Sequence, residues 1–212
     1  MLLKFLTRLL LSSGFFLFIL SGQVSAQKKF EAGFVLGFNT SQISGDNLGG
    51  FDRLSPNGGL FVKREINEKI DWRLEMAYLG KGSKNVPGPE DPATDYYLLR
   101  IHYIELPLVV SYSVKPKWRI EAGPSVGVFL GNHEEDINGE YVGVLSAREQ
   151  FKRFDFSGNV GLIWRFAEKW ALNVRASNSI LPVRNYDQQT SFRLNKGQLN
   201  KSIMFRLFYS FQ

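Results

Sequence analysis

Cysteine is absent from the 212 residues, so no disulfide framework stabilises the chain and no thiol is available as a ligand. Histidine is almost absent. The two copies, His102 and His133, are widely separated, a thin basis for a transition-metal site. No run of like charge occurs. The 26 Lys+Arg and 20 Asp+Glu are dispersed along the chain, and without a basic stripe nucleic acid is not an expected partner. Helix-period amphipathic segments are also missing after residue 26. The mean hydropathy of −0.15 lacks the signature of helical membrane proteins, but it does not exclude a membrane barrel, whose polar lumen residues dilute the lipid-facing ones.

What is present starts with an N-terminal export signal. Lys4 and Arg8 form a positive n-region, LLLSSGFFLFIL an apolar core, and Val24-Ser25-Ala26 a cleavage site before Gln27. The apolar run is short of the roughly 20 residues a spanning helix needs. Residues 1–26 are therefore expected to be a signal peptide, and 27–212 a single domain. Loss of Lys4 and Arg8 leaves 24 basic against 20 acidic residues, a net charge of +4.

Eight segments of alternating polarity follow, at about 30–39, 57–66, 70–82, 98–114, 117–130, 152–166, 169–178 and 200–211. Connections at 67–69, 115–116 and 167–168 are very short. Those at 40–56, 83–97, 131–151 and 179–199 are long and polar. Tight turns on one side and long loops on the other mark an outer-membrane barrel. Trp72, Trp118, Trp164 and Trp170 each lie beside a short turn on the apolar side of the alternation, as an aromatic girdle at a membrane–water interface would. The reading is all-β: an eight-stranded antiparallel up-and-down transmembrane β-barrel in the cell outer membrane, with both ends in the periplasm.

Parity assigns the faces, because side chains in a strand point alternately to either side. In the last segment Ile203, Phe205, Leu207, Tyr209 and Phe211 face one way, and Ser202, Met204, Arg206, Phe208 and Ser210 the other. Charges of both signs fall on one face: Glu31, Glu65, Asp71, Glu75, Glu105, Glu121 and Asp155 against Lys63, Arg73, Arg119, Arg165, Arg175 and Arg206. A face so charged cannot meet lipid, so it lines the lumen. Eight strands leave an interior that side chains can fill, and near-balanced charge there predicts a salt-bridged plug rather than an open pore. In the fourth segment the parity of Ile104 and Leu106, carried upward, turns Arg100 and His102 outward unless a bulge resets the register. Pro107 and Pro124 predict local bulges or irregular pairing, since proline cannot donate to a ladder.

The segments IELPLVVSYSV (104–114) and WRIEAGPSVGVFL (118–130) carry a Glu-x-Pro-apolar strand and then an aromatic strand with Ala-Gly-Pro. With FDFSGNVGLIWRF (154–166) and SIMFRLFYSF (202–211), they resemble the PorT-like outer-membrane β-barrel family of Bacteroidota. The resemblance covers essentially the whole mature chain. It implies an eight-stranded barrel inserted by the outer-membrane assembly machinery, and it transmits no catalytic motif. The chain departs from the usual barrel ending, with Phe211 penultimate and Gln212 last.

Candidate sites are few. Glu134, Asp136, Asn138 and Gly139 copy the start of a calcium loop, but Leu145 stands where a bidentate acid is needed. Asn138-Gly139 reads better as a hairpin tip. His133 with Glu134, Glu135 and Asp136 is a thin transition-metal set. His102 would need a hydroxyl nucleophile within hydrogen-bond reach to act as a hydrolase base, and Tyr112, the nearest on its strand face, is too distant. Glu75, Glu105 and Glu121 interleave with Arg73, Arg119 and Arg206, which points to an ion network rather than acid–base chemistry. Tyr96, Tyr97, Tyr141 and Tyr186 are loop aromatics that could line a binding surface. No catalytic, cofactor-binding or metal residue is therefore expected, and the chain is read as non-enzymatic. Its expected role is structural or interactive, with outer-membrane lipid around the wall and a protein partner at the extracellular loops or periplasmic turns. The alternatives are an accessory component of protein secretion, type IX-like, or a narrow solute pore.

Overall fold

A computed structural model describes residues 30–44, 50–85, 96–136, 139–140, 151–184 and 197–211. Nine strands run in chain order: β1 (Glu31–Ser44), β2 (Arg53–Glu65), β3 (Ile70–Asn85), β4 (Tyr97–Lys115), β5 (Trp118–Asp136), β6 (Gly139–Glu140), β7 (Phe154–Arg165), β8 (Trp170–Ser179) and β9 (Leu199–Ser210). Eight of them close into a ring in which each strand is antiparallel to both neighbours, in the order β1-β2-β3-β4-β5-β7-β8-β9 and back to β1. The two-residue β6 folds back on the outer end of β5. Closure removes every long edge whose unpaired N–H and C=O groups would otherwise face lipid.

The expected alternation is inverted relative to a soluble barrel, as anticipated. Leu36, Phe38, Leu60, Leu74, Met76, Leu108, Ile120, Val160, Leu162 and Phe205 are exposed on the outside, while Glu75, Glu105, Glu121, Arg73, Arg175 and Arg206 are buried. Lipid solvates the first set, and the second must be satisfied inside. Trp118 and Trp164, directly paired across β5 and β7, stack with ring centroids 5.8 Å apart. Trp170 packs on Tyr209 and Trp72 on Phe30, so one aromatic band circles the short-turn end. The turn after β2 is held by Asn67, whose Oδ1 accepts from the N–H groups of Lys69 and Ile70 at 2.9 and 2.8 Å.

Several expectations are corrected. The strands extend further outward than polarity indicated, β1 to Ser44 and β5 to Asp136, because hydrogen bonding continues where the apolar pattern stops. β4 keeps its parity from Leu99 to Ser113; an extra residue, Leu130 of β5, falls where pairing passes from His102↔Gly131 to Tyr103↔Phe129, and a second shift between Ser113 and Lys115 sits beside the short turn. The prolines interrupt ladder pairing near Pro107 and Pro124 without changing the register on either side. Glu65 has inward parity but is exposed, since it sits at the last residue of β2, beyond the level where an opposing wall exists. Gly139, expected at a hairpin tip, is instead paired with Asp136 in the β5–β6 ladder. The expected signal at 1–26, and Asn138, Tyr141, Leu145 and Tyr186, lie outside the described residues.

Candidate functional site: a filled lumen beneath an outer rim

From the Trp end outward the lumen is a stack of layers. The first is a small open vestibule of about 40 Å³ lined by Glu31, Lys63, Asp71, Arg119 and Arg165 among others. Lys63 bridges to Glu31 at 2.8 Å and Arg119 to Asp71 at 2.8 Å. Phe61 and Phe208 close it, packed edge to face at 5.2 Å with Val35 beside them. The Arg73 guanidinium lies 4.4 Å from the Phe208 ring centroid and that of Arg206 5.1 Å. Cations over an aromatic face are attracted by the ring quadrupole, and the same two cations reach up into the next layer.

That layer holds three arginines and two glutamates. Arg175 of β8 donates to Glu75 from Nη2 and to Glu121 from Nε, each at 2.7 Å. Arg206 of β9 donates to Glu75 at 2.7 Å. Arg73 of β3 reaches both Glu75, at 2.8 Å, and Glu121. Asn173 donates to Glu121 at 2.9 Å and accepts from Arg206. A Cβ at Gly161 would stand 2.7 Å from Glu121 Oε1, so glycine there leaves room for the carboxylate. Buried ions are tolerated only when paired and hydrogen-bonded in this manner.

Above it Lys81 sits between Glu105, at 3.2 Å, and Asp155, at 3.0 Å. Ser125 donates to Glu105 at 2.5 Å, while Ser179 and Asn200 donate to Asp155 at 2.7 and 2.9 Å. Lys81 was not among the inward charges read from the sequence, although its parity with Arg73 and Glu75 carries the information. The lower charged layer bears one excess cation and this one an excess anion, so the two nearly cancel. The stack ends in an apolar cap of Ile43, Leu99, Ile101 and Tyr103, with Tyr97, Phe129 and Phe151 packed against it. Beside the cap, Val183 accepts from Lys152 N–H at 2.7 Å, and Arg184 lies over Phe151 at 4.9 Å.

The glutamates weighed as acid–base candidates are thus all consumed in ion pairs. His102 faces outward. The hydroxyl it meets is not Tyr112 but Tyr78 of β3, 2.6 Å from Nδ1, which strand-face reasoning within β4 could not find. A phenol in place of a serine, with no carboxylate on the ring among the described residues, leaves the hydrolase constellation unassembled there.

At the outer rim Glu134 accepts from Tyr97 at 2.7 Å and pairs with Arg184 at 3.1 Å, while Glu135 pairs with His133 and Tyr96. The hydrogen bond from His133 leads in holding the Glu135 carboxyl below its ordinary value. These partners occupy Glu134 and Glu135, two of the acids weighed for calcium or a transition metal, and no cluster of three or more metal-ligating side chains occurs among the described residues. Tyr96 and Tyr97, expected as loop aromatics, instead brace this rim.

A barrel of this inverted polarity has its counterpart among known sequences, since the model of a family described as "Outer membrane protein beta-barrel domain" matches residues 22–183. The chain belongs to that family. Like its other members by description, it is an outer-membrane β-barrel, with lipid around the apolar wall. No curated protein matches it. Among solved structures it is similar to Ail, the attachment invasion locus protein of Yersinia pestis. The two share 11% identity over 86% of this chain and 99% of that one, with a TM-score of 0.48. It is similar also to Neisserial surface protein A, at 11% identity over 86% and 97% with a TM-score of 0.45. OprG of Pseudomonas aeruginosa shares 14% identity over 90% and 100%, with a TM-score of 0.41.

Proposed function

We propose that this outer-membrane barrel is non-catalytic and works as an interaction protein through its outer rim. The observation that carries the reading is the filled lumen: from Phe208 to Tyr103 every layer is occupied by packed rings or paired ions. An interior so occupied leaves the ends and the wall as working surfaces. Strands β3, β4 and β5 are the tallest part of the structure. Tyr97 of β4, paired with Asp136 of β5, stands 13 residues along β4 from Val110, the partner of Trp72, which at about 3.3 Å per residue and a strand tilt near 40° is roughly 33 Å above the girdle. The apolar band of such barrels is only about 25 Å tall. This part of the wall therefore projects beyond the membrane as a rigid platform, and a protein or surface polymer is the partner it would meet. In the same reading residues 1–26 are the export signal and 27–212 the barrel domain.

A second reading rests on the resemblance of residues 104–130 to the PorT-like family of Bacteroidota: an accessory of protein secretion, docked through the periplasmic turns. Photo-crosslinking in native membranes separates the two. A crosslinker at Tyr96 on the rim is expected to capture a partner, and one at Glu68 or Glu168 on the turns is not. Capture of secretion components from the turns alone would replace the first reading by the second. Stable ion-selective conductance of the purified protein in planar bilayers would overturn the filled-lumen argument and restore the narrow pore.

A further inference from the structure

The outer wall changes character abruptly on one side. Along β4 the outward residues run Val110, Leu108, Leu106 and Ile104, all apolar, and then His102 and Arg100. His133 of β5 stands directly opposite Arg100. Tyr78 of β3 stands opposite Ile104. The Tyr78 hydroxyl meets His102 Nδ1, and the two rings stack at 5.9 Å with 23° between their planes. Among the described residues Glu135 is the carboxylate coupled to Arg100, and His133 and Tyr96 occupy it.

Height gives this cluster its meaning. Val110 is paired with Trp72 of the girdle. His102 and Arg100 lie eight and ten residues further along the strand, or roughly 20 and 25 Å above that level. This is the upper edge of an apolar band about 25 Å tall, where cations on the lipid face are far less costly than at mid-bilayer. Guanidinium forks match phosphate oxygens in geometry and charge. Tyr78 engages His102 at Nδ1, which leaves Nε2 as the ring nitrogen that would meet a ligand. The anionic group present at this depth beside a membrane protein is the phosphate of a lipid headgroup.

We propose that Arg100 and His102, braced by Tyr78, form a site for the phosphorylated headgroup of an outer-leaflet lipid. The site lies on the wall rather than on the rim, and it stands independently of the interaction role proposed above.

Native mass spectrometry of the full barrel, released from mild detergent, tests this with three probes: a bis-phosphorylated glucosamine disaccharide lipid, its dephosphorylated form, and inorganic phosphate. The phosphorylated lipid is expected to give a one-to-one adduct, at least ten-fold more abundant than that of the dephosphorylated lipid and resistant to millimolar phosphate. Arg100→Gln with His102→Gln should reduce the adduct at least ten-fold while the protein still migrates as a heat-modifiable folded barrel. His102→Gln alone supplies an independent reading should the double variant fail to fold, with a loss of several-fold. Lys115→Gln at the opposite end should change nothing. Undiminished binding by folded variants, equal binding of the dephosphorylated lipid, or displacement by inorganic phosphate would each overturn the site.

Discussion

Arg175 of β8 and Glu75 of β3, 100 residues apart in the chain, meet across the lumen with Nη2 2.7 Å from Oε1 and neither side chain exposed. Arg175 also holds Glu121 of β5, and Glu75 also holds Arg206 of β9. One small cluster therefore ties together β3, β5, β8 and β9, strands that are not all neighbours in the ring. The lumen acts as the core of the molecule, with ion pairs taking the place that apolar packing holds in a soluble barrel.

Glu75→Gln removes one of two carboxylates that serve three arginines. Breaking a buried pair on one side only leaves an uncompensated charge, and a loss of about 3–5 kcal/mol is expected. Urea unfolding in detergent or vesicles, followed by Trp fluorescence, measures it. Adding Arg206→Met should return part of that loss, because the layer then goes back to its original excess of one cation. A strictly additive result would show that the two residues do not act as a unit.

Lys81 holds apart two buried acids, Glu105 and Asp155. Lys81→Met should destabilise by a similar margin of about 3–5 kcal/mol, and Lys81→Met with Asp155→Asn by less. The same unfolding measurement ranks the two. Equal stability for the single and double variants would show that carboxylate repulsion is not what the lysine relieves.

All four tryptophans are expected at one depth, near the short-turn interface. In vesicles of brominated lipid, single-Trp variants retaining Trp72, Trp118, Trp164 or Trp170 should be quenched most by bromines near the headgroup and least by those at the bilayer centre. Trp118→Ala should in addition lose the stacking partner of Trp164, worth about 0.5–1.5 kcal/mol beyond buried area.

Glu135 at the rim has a depressed pKa, held down first by its hydrogen bond with His133. A carboxyl depressed in the folded state gains its contact above the ordinary value of 4.5 and loses it as the pH falls through the lower folded value. Carbon-detected NMR titration of the Glu135 carboxyl should therefore show a midpoint below 4.5, and His133→Ala should move that midpoint upward. An unchanged midpoint in the variant would assign the depression to other neighbours.

Much of this was legible from residue order. The face assignment of Arg73, Glu75, Glu121, Asp155, Arg175 and Arg206 followed from parity, because a two-residue repeat leaves no third direction for a side chain. The filled lumen followed from the near-balance of charge there. Lys81 was missed, although its parity was available, because Gly80 and Gly82 blur the pattern around it. The Tyr78–His102 contact was missed for a different reason. It joins diagonal neighbours on two strands, and its geometry depends on the β3–β4 register, which polarity alone does not set.

The sequence by itself determined the periodicity, the inversion of polar and apolar faces, the alternation of short and long connections, and the level of the Trp girdle. These are local properties, set by each residue's place in its own strand. Only the closed tertiary structure decided which cation meets which anion. The partners in the charged layer come from β3, β5, β8 and β9 and are separated by as many as 131 residues. It also decided that β4 holds its parity while β5 takes up the extra residue, and that Arg100 and His102 therefore stand on the outer wall. Ring closure fixes register and lumen width together, and those two quantities select among pairings that a single strand leaves equally open.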